Sequence, residues 1–120
     1  ELFMKSYGGI SLHNQSHGES FMAIMKNRFS GHGLYILDEP EAALSPSRQM
    51  AMLALMKRLV DQDSQFIIST HSPILMAYPE AEIIELDETG FRSTPYKETT
   101  HYRLTNYFLN NTEQMLNELM

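Results

Sequence analysis

The stretch LYILDEP at 34–40 ends a continuous apolar run on two adjacent carboxylates, Asp38 and Glu39. In open α/β sheets, ligands bind just outside the carboxyl ends of parallel strands, so acids at that point are placed for chemistry. Side chains alternate along a strand and its end, which lets the two acids divide the work. One can hold a hydrated Mg2+ while its neighbour orients an attacking water. The same pair can equally be solvated acids in a strand-to-helix loop. A second apolar run, FIIS at 66–69, leads into THSP and puts His71 at the same sheet edge as Asp38. There an imidazole can sense a phosphate or orient water, although a histidine after a strand is also an ordinary loop residue. A third candidate is QSHGES at 15–20. Ser16 and Glu19 have the spacing of a capping box, and a Ser and Gly at a helix N-terminus also offer N–H groups and a helix dipole to a phosphate. The two readings are compatible, because a capped helix end is a fixed one.

The elements that must position these residues follow from periodicity. SFMAIMKNRF repeats apolar residues at helical spacing (Phe21, Met22, Met25, Phe29) and is closed by the glycines of SGHG. LYIL at 34–37 reads as a strand buried on both faces. Ser45-Pro46 supplies an N-cap and a first-turn proline for a helix through about Val60, with Met50, Leu53, Met56 and Val60 along one stripe. DQDSQ breaks that helix, and FIIS is a second buried strand. Strand, helix and strand make a βαβ unit with parallel strands. Ser72-Pro73 again suggests a cap and first turn, 81–87 a strand, the segment around Gly90 a weaker strand, and the tail from Thr99 two short helices.

Composition narrows the function classes. The chain has 120 residues, 42% of them hydrophobic, which is enough for a real core. It has no cysteine, hence no disulfide framework and no thiolate metal site. No apolar run is long enough to cross a bilayer, and a cytoplasmic location is expected. A net charge of −6, with nine scattered Lys and Arg, argues against a broad electrostatic grip on nucleic acid. The chain starts at Glu1 with no signal-type segment, and an excised or processed fragment is expected. Nine methionines fall mostly at helical core spacing and read as core filler. His13 and His17 are four apart, but they precede the expected cap with no acidic base between them, so they read as loop histidines. A serine hydrolase is not expected, since SHGES lacks the G-x-S-x-G order and no buried strand leads into it.

Taken together, QSHGES, LYILDEPEAALSP and STHSP resemble, in order and separation, the second half of an ABC-type ATPase: signature motif, Walker B with its following glutamate, D-loop and switch histidine. These motifs span residues 15–73. The tail, especially PYKETTHYRLTNYFLNN, resembles the small soluble predicted ATPases of the AAA/ABC-like group. The resemblance implies an α/β fold, a partial P-loop NTPase (ABC ATPase-like) sheet with flanking helices. Residues 1–120 would be the C-terminal piece of one nucleotide-binding domain, with a signature region at 1–33, Walker B to C-terminal strands at 34–98, and C-terminal helices at 99–120. It further implies that Asp38 supports Mg2+, that Glu39 polarises the attacking water, and that His71 contacts the γ-phosphate. Ser16, Gly18 and Glu19 would reach ATP bound by the opposite subunit of a homodimer, and Ser45 would lie in the D-loop. The sequence departs from the family pattern at Glu19, where Gln is usual, at His17, where Gly is usual, and at Ser45, where Asp is usual.

The chain contains no G-x-x-x-x-G-K-[ST] loop to cradle phosphates. By resemblance, that loop belongs to an N-terminal half whose strand would lie between the one ending at Ser69 and a later one at about 82–87. The chain alone is therefore expected not to hydrolyse ATP, and its open strand edges are expected to associate or distort. Two functions remain: half of an ATPase engine, or a non-hydrolytic interaction module that keeps the fold. Retention of Asp38, Glu39 and His71 together favours the enzyme.

Overall fold

The computed structural model describes residues 3–4, 10–11 and 18–120, with side chains from residue 22 onward. Two units divide the chain, Glu1–Leu75 and Met76–Met120. In the first, β1 (Phe3–Met4) and β2 (Ile10–Ser11) pair antiparallel. Helix α1 (Gly18–Arg28), strand β3 (Leu34–Asp38), helix α2 (Pro46–Val60) and strand β4 (Gln65–Ser69) follow. β3 and β4 are parallel, with Leu34 opposite Gln65 and Asp38 opposite Ser69. This is the expected βαβ arrangement, and the protein is an α/β fold of small sheets and helices.

α2 forms where its punctuation predicts. The Ser45 hydroxyl accepts from Arg48 N–H at 3.3 Å, Pro46 occupies the first turn, and Lys57 and Arg58 in the last turn suit the negative end of the helix dipole. Its buried stripe is not the expected one. Gln49, Met52, Leu55, Met56 and Leu59 face inward, while Met50 is 58% and Val60 37% exposed. Apolar residues occupy two overlapping stripes on this helix, so periodicity alone allowed either, and packing against α1 and β4 selects the second. Burying Met52 completely contributes about 1.5–3 kcal/mol, so the selection is strongly enforced.

The expectation that both strands are buried on both faces is also corrected. On β3, Tyr35 and Leu37 are buried while Leu34 is 45% exposed, and on β4 Ile67 is 51% exposed. Among the described residues, β4 pairs with β3 alone. The exposed positions alternate with the more buried ones in both strands, so one face of the pair lacks a covering layer among the described residues.

The end of the unit remote from the Asp38 edge is tied by polar contacts. Gln65 N–H donates to Gly33 O at 2.8 Å and His32 N–H to Gln62 O at 2.9 Å. The buried Ser64 hydroxyl donates to Ser30 O at 2.9 Å and accepts from Gly33 N–H at 3.1 Å. Tyr35 closes the knot: its hydroxyl accepts from Ser30 N–H at 2.7 Å and donates to Ser30 O at 2.6 Å, and its ring stacks on Phe29 at 4.2 Å. A Cβ on Gly33 would lie 2.5 Å from that hydroxyl, which explains the glycine.

In the second unit, β5 (Ile84–Asp87) and β6 (Gly90–Ser93) form an antiparallel hairpin, shorter than the expected 81–87 strand. Asp87 accepts from Thr89 N–H at 2.8 Å and from its hydroxyl at 2.6 Å, and Gly90 takes φ +117, so side-chain bonds and a glycine make the turn. The expected tail helices are α3 (Thr100–Asn110) and α4 (Thr112–Leu119). Thr99 caps α3 by accepting from Tyr102 N–H at 3.2 Å, and Glu85 accepts from Thr100 N–H at 2.8 Å. That backbone bond, helped by Thr94 and Arg92, holds the Glu85 carboxyl below its ordinary value. No helix of the described residues is long and apolar enough to cross a membrane.

Tyr35→Phe keeps the ring stack and deletes only the hydroxyl, so it should destabilise the unit by about 1–2 kcal/mol. A urea unfolding midpoint equal to that of the parent chain would contradict the role given to this knot.

Candidate functional site

The parallel register brings the carboxyl ends of β3 and β4 level, because Asp38 pairs with Ser69. One further backbone bond extends the ladder, with Glu39 N–H donating to Ser69 O at 2.7 Å. The chain then turns sharply. Glu39 adopts a left-handed conformation, φ 49 and ψ 54, immediately before Pro40. This is unfavourable for a residue with a Cβ, and the residue before a proline is ordinarily driven to extended backbone. Two contacts hold it there: the bond to Ser69, and a bond from Ala42 N–H to Glu39 O at 3.0 Å that closes the short 3-10 turn Pro40–Ala43. Asp38 and Glu39 are both exposed at this edge.

The 3-10 turn carries Glu41 back over the end of β4. Its Oε1 accepts from the Thr70 hydroxyl at 2.6 Å and its Oε2 from His71 N–H at 2.9 Å. Thr70 Oγ1 in turn accepts from Ser72 N–H at 3.0 Å. Glu39, Glu41 and His71 consequently converge, with one ligating atom from each lying within 4.8 Å of the others. Three such donors are close enough to share a divalent cation, although both Glu41 oxygens already accept hydrogen bonds.

A buried polar link joins the same loop to α2. The Ser72 hydroxyl donates to Gln49 Oε1, and Gln49 Nε2 donates to Leu44 O at 3.2 Å. Ser72 Oγ also accepts from Ile74 N–H at 3.2 Å and Leu75 N–H at 3.1 Å, the capping geometry expected of it. Only a 3-10 turn follows, Leu75–Ala77, because Pro79 disfavours helix at the residue before it. Ser45 sits beside Leu44, exposed, as the N-cap of α2.

The residues singled out in the sequence thus fall into two groups. Asp38, Glu39, Ser45 and His71 lie on β3, β4 and the loops that follow them. Ser16 lies outside the described residues, and Gly18 and Glu19 are described only as the first backbone positions of α1. Sequence reasoning missed Glu41 and Gln49. A third acid after Asp38-Glu39-Pro40 looks like more loop charge, and only the 3-10 turn reveals that it points back to residues 70 and 71. Gln49 could have been suspected, since it shares a helical stripe with Met52, Met56 and Leu59.

Residues 16–76, just over half of the chain, match the family described as "AAA ATPase domain". A protein of Haemophilus influenzae named "Uncharacterized ABC transporter ATP-binding protein" is 33% identical over 82 residues, which is 67% of this chain and 31% of that protein. The chain therefore matches under a third of the length of this curated relative.

Because Glu39 is held in a left-handed conformation, Glu39→Gly should relieve strain and raise the unfolding free energy by about 0.5–1 kcal/mol. Chemical denaturation measures this; a destabilised Glu39→Gly chain would show that the glutamate side chain contributes more than its backbone costs.

Proposed function

The chain belongs to the AAA ATPase domain family, and from that premise we propose that the protein binds and hydrolyses ATP in a Mg2+-dependent reaction at the β3–β4 edge. The observation that carries the reading is the convergence of Glu39 and His71, from adjacent strand ends, to within 4.8 Å. In this reading, Glu39 accepts a hydrogen bond from the water that attacks the γ-phosphorus and takes its proton as ADP leaves. His71 donates to an oxygen of the transferred phosphoryl group. Asp38 offers an exposed carboxylate at the strand end, a hard oxygen donor of the kind Mg2+ takes. When bound, that ion neutralises charge on the β- and γ-phosphates.

The chain has no G-x-x-x-x-G-K-[ST] loop, so hydrolysis belongs in this reading to a longer protein, of which residues 1–120 form a part. Strand order follows the same logic. Among the described residues β4 pairs with β3 alone, which leaves room for a further parallel strand on its other side. The helix start at Gly18, with Ser16 and Glu19, would serve the nucleotide of a second subunit in a homodimer. The Ser45 loop would lie at the same interface. The reading places the protein in the cytoplasm.

In the full-length protein, Glu39→Gln should abolish steady-state turnover by about a hundredfold or more and accumulate ATP-bound dimers. Turnover and sizing with radiolabelled ATP measure both. Unchanged turnover in Glu39→Gln overturns the site, and no turnover by the parent protein favours a non-hydrolytic interaction module.

A further inference from the structure

We infer that Glu41 is a positioning residue that clamps the loop after β4 and so holds His71 against Glu39; its kinetic consequence rests on the ATPase reading above. The clamp is bidentate. One carboxylate accepts from donors on consecutive residues, the Thr70 hydroxyl at 2.6 Å and His71 N–H at 2.9 Å. Hydrogen bonds to a charged acceptor are about twice as strong as neutral ones, so a half-buried carboxylate here orders the loop more firmly than a neutral residue could. The order is passed on, because Thr70 Oγ1 accepts from Ser72 N–H at 3.0 Å. Ser72 is in turn held by Gln49 on α2.

Electrostatics supports a positioning role. A second carboxylate within 4.8 Å of Glu39 repels both that group and any incoming phosphate. For a site that takes a phosphate, this is a cost, and the clamp is the compensating gain. Glutamine replaces it only in part. Its amide oxygen can accept from His71 N–H while its NH2 group donates to the Thr70 hydroxyl, but both bonds are then between neutral groups and about half as strong. The loop would be loosened, and a misplacement of about 1 Å at a reacting centre can cost about a hundredfold in rate.

The test is a double-mutant cycle in the full-length protein with Glu41→Gln, His71→Ala and both. Glu41→Gln should lower kcat about tenfold or more, with KM for ATP and the Mg2+ concentration for half-activation within about twofold of the parent. In the His71→Ala background it should have no further effect. Independent, multiplicative losses overturn the proposal, as does a large rise in the Mg2+ requirement, which would make Glu41 a cation ligand. Amide hydrogen exchange provides a readout separate from activity: residues 70–72 should exchange faster in Glu41→Gln, and in Thr70→Val as a second variant, with α2 unaltered. Unchanged exchange sinks the clamp whether or not ATP is hydrolysed. A parent protein without turnover fails the ATPase reading and leaves exchange to judge the clamp.

Discussion

Parallel pairing of β3 and β4 in the register that sets Asp38 opposite Ser69 makes the two strand ends flush, and the site geometry depends on it. A slip of one residue would turn every side chain of one strand to the other face, burying Leu34 and Ile36 in place of Tyr35 and Leu37. It would also carry His71 a full residue away from Glu39. The register is pinned far from the site. Gln65 bonds Gly33, Ser64 bridges Ser30 and Gly33, and Tyr35 ties itself to both backbone groups of Ser30. The chemistry-bearing edge is thus positioned by contacts at the opposite end of the same strands.

At the functional edge the backbone does something a relaxed chain avoids. Glu39 takes a left-handed conformation before a proline, and such strain persists only where surrounding contacts over-determine it. Here the contacts are the bond to Ser69 O, the closure of the 3-10 turn by Ala42, and burial of Pro40. The same turn presents Glu41 to Thr70 and His71. One local distortion therefore accomplishes two things: it moves the Glu39 carboxylate out of the strand line, and it sets the clamp on the neighbouring loop. Gln49 adds a third connection, buried and neutral, from α2 through Ser72.

The second unit is organised differently. Its hairpin and helices are defined by local polar devices, the Asp87 turn, the Thr99 cap and the Glu85 carboxylate on Thr100 N–H. Large apolar side chains such as Leu86 and Phe91 remain exposed. Local signals of this kind are readable residue by residue, which is why the tail helices were anticipated although they bury no residue fully.

What the sequence determined by itself was therefore local: caps at Ser45 and Ser72, helices and strands by periodicity, and a parallel βαβ unit that brings Asp38 and His71 to one edge. Family membership was legible too, because motif order and spacing survive in one dimension. The tertiary structure decided the rest. It chose between the two apolar stripes of α2, since Met52 and Met50 are equally hydrophobic and only the facing elements distinguish them. It left Ile67 exposed, since burial depends on neighbours that a strand does not encode. It made Glu41 a partner of His71, since two residues thirty positions apart meet only when the strand register and the turn after Glu39 are both set. Propensity and spacing act along the chain, whereas packing and hydrogen-bond partners are chosen across it.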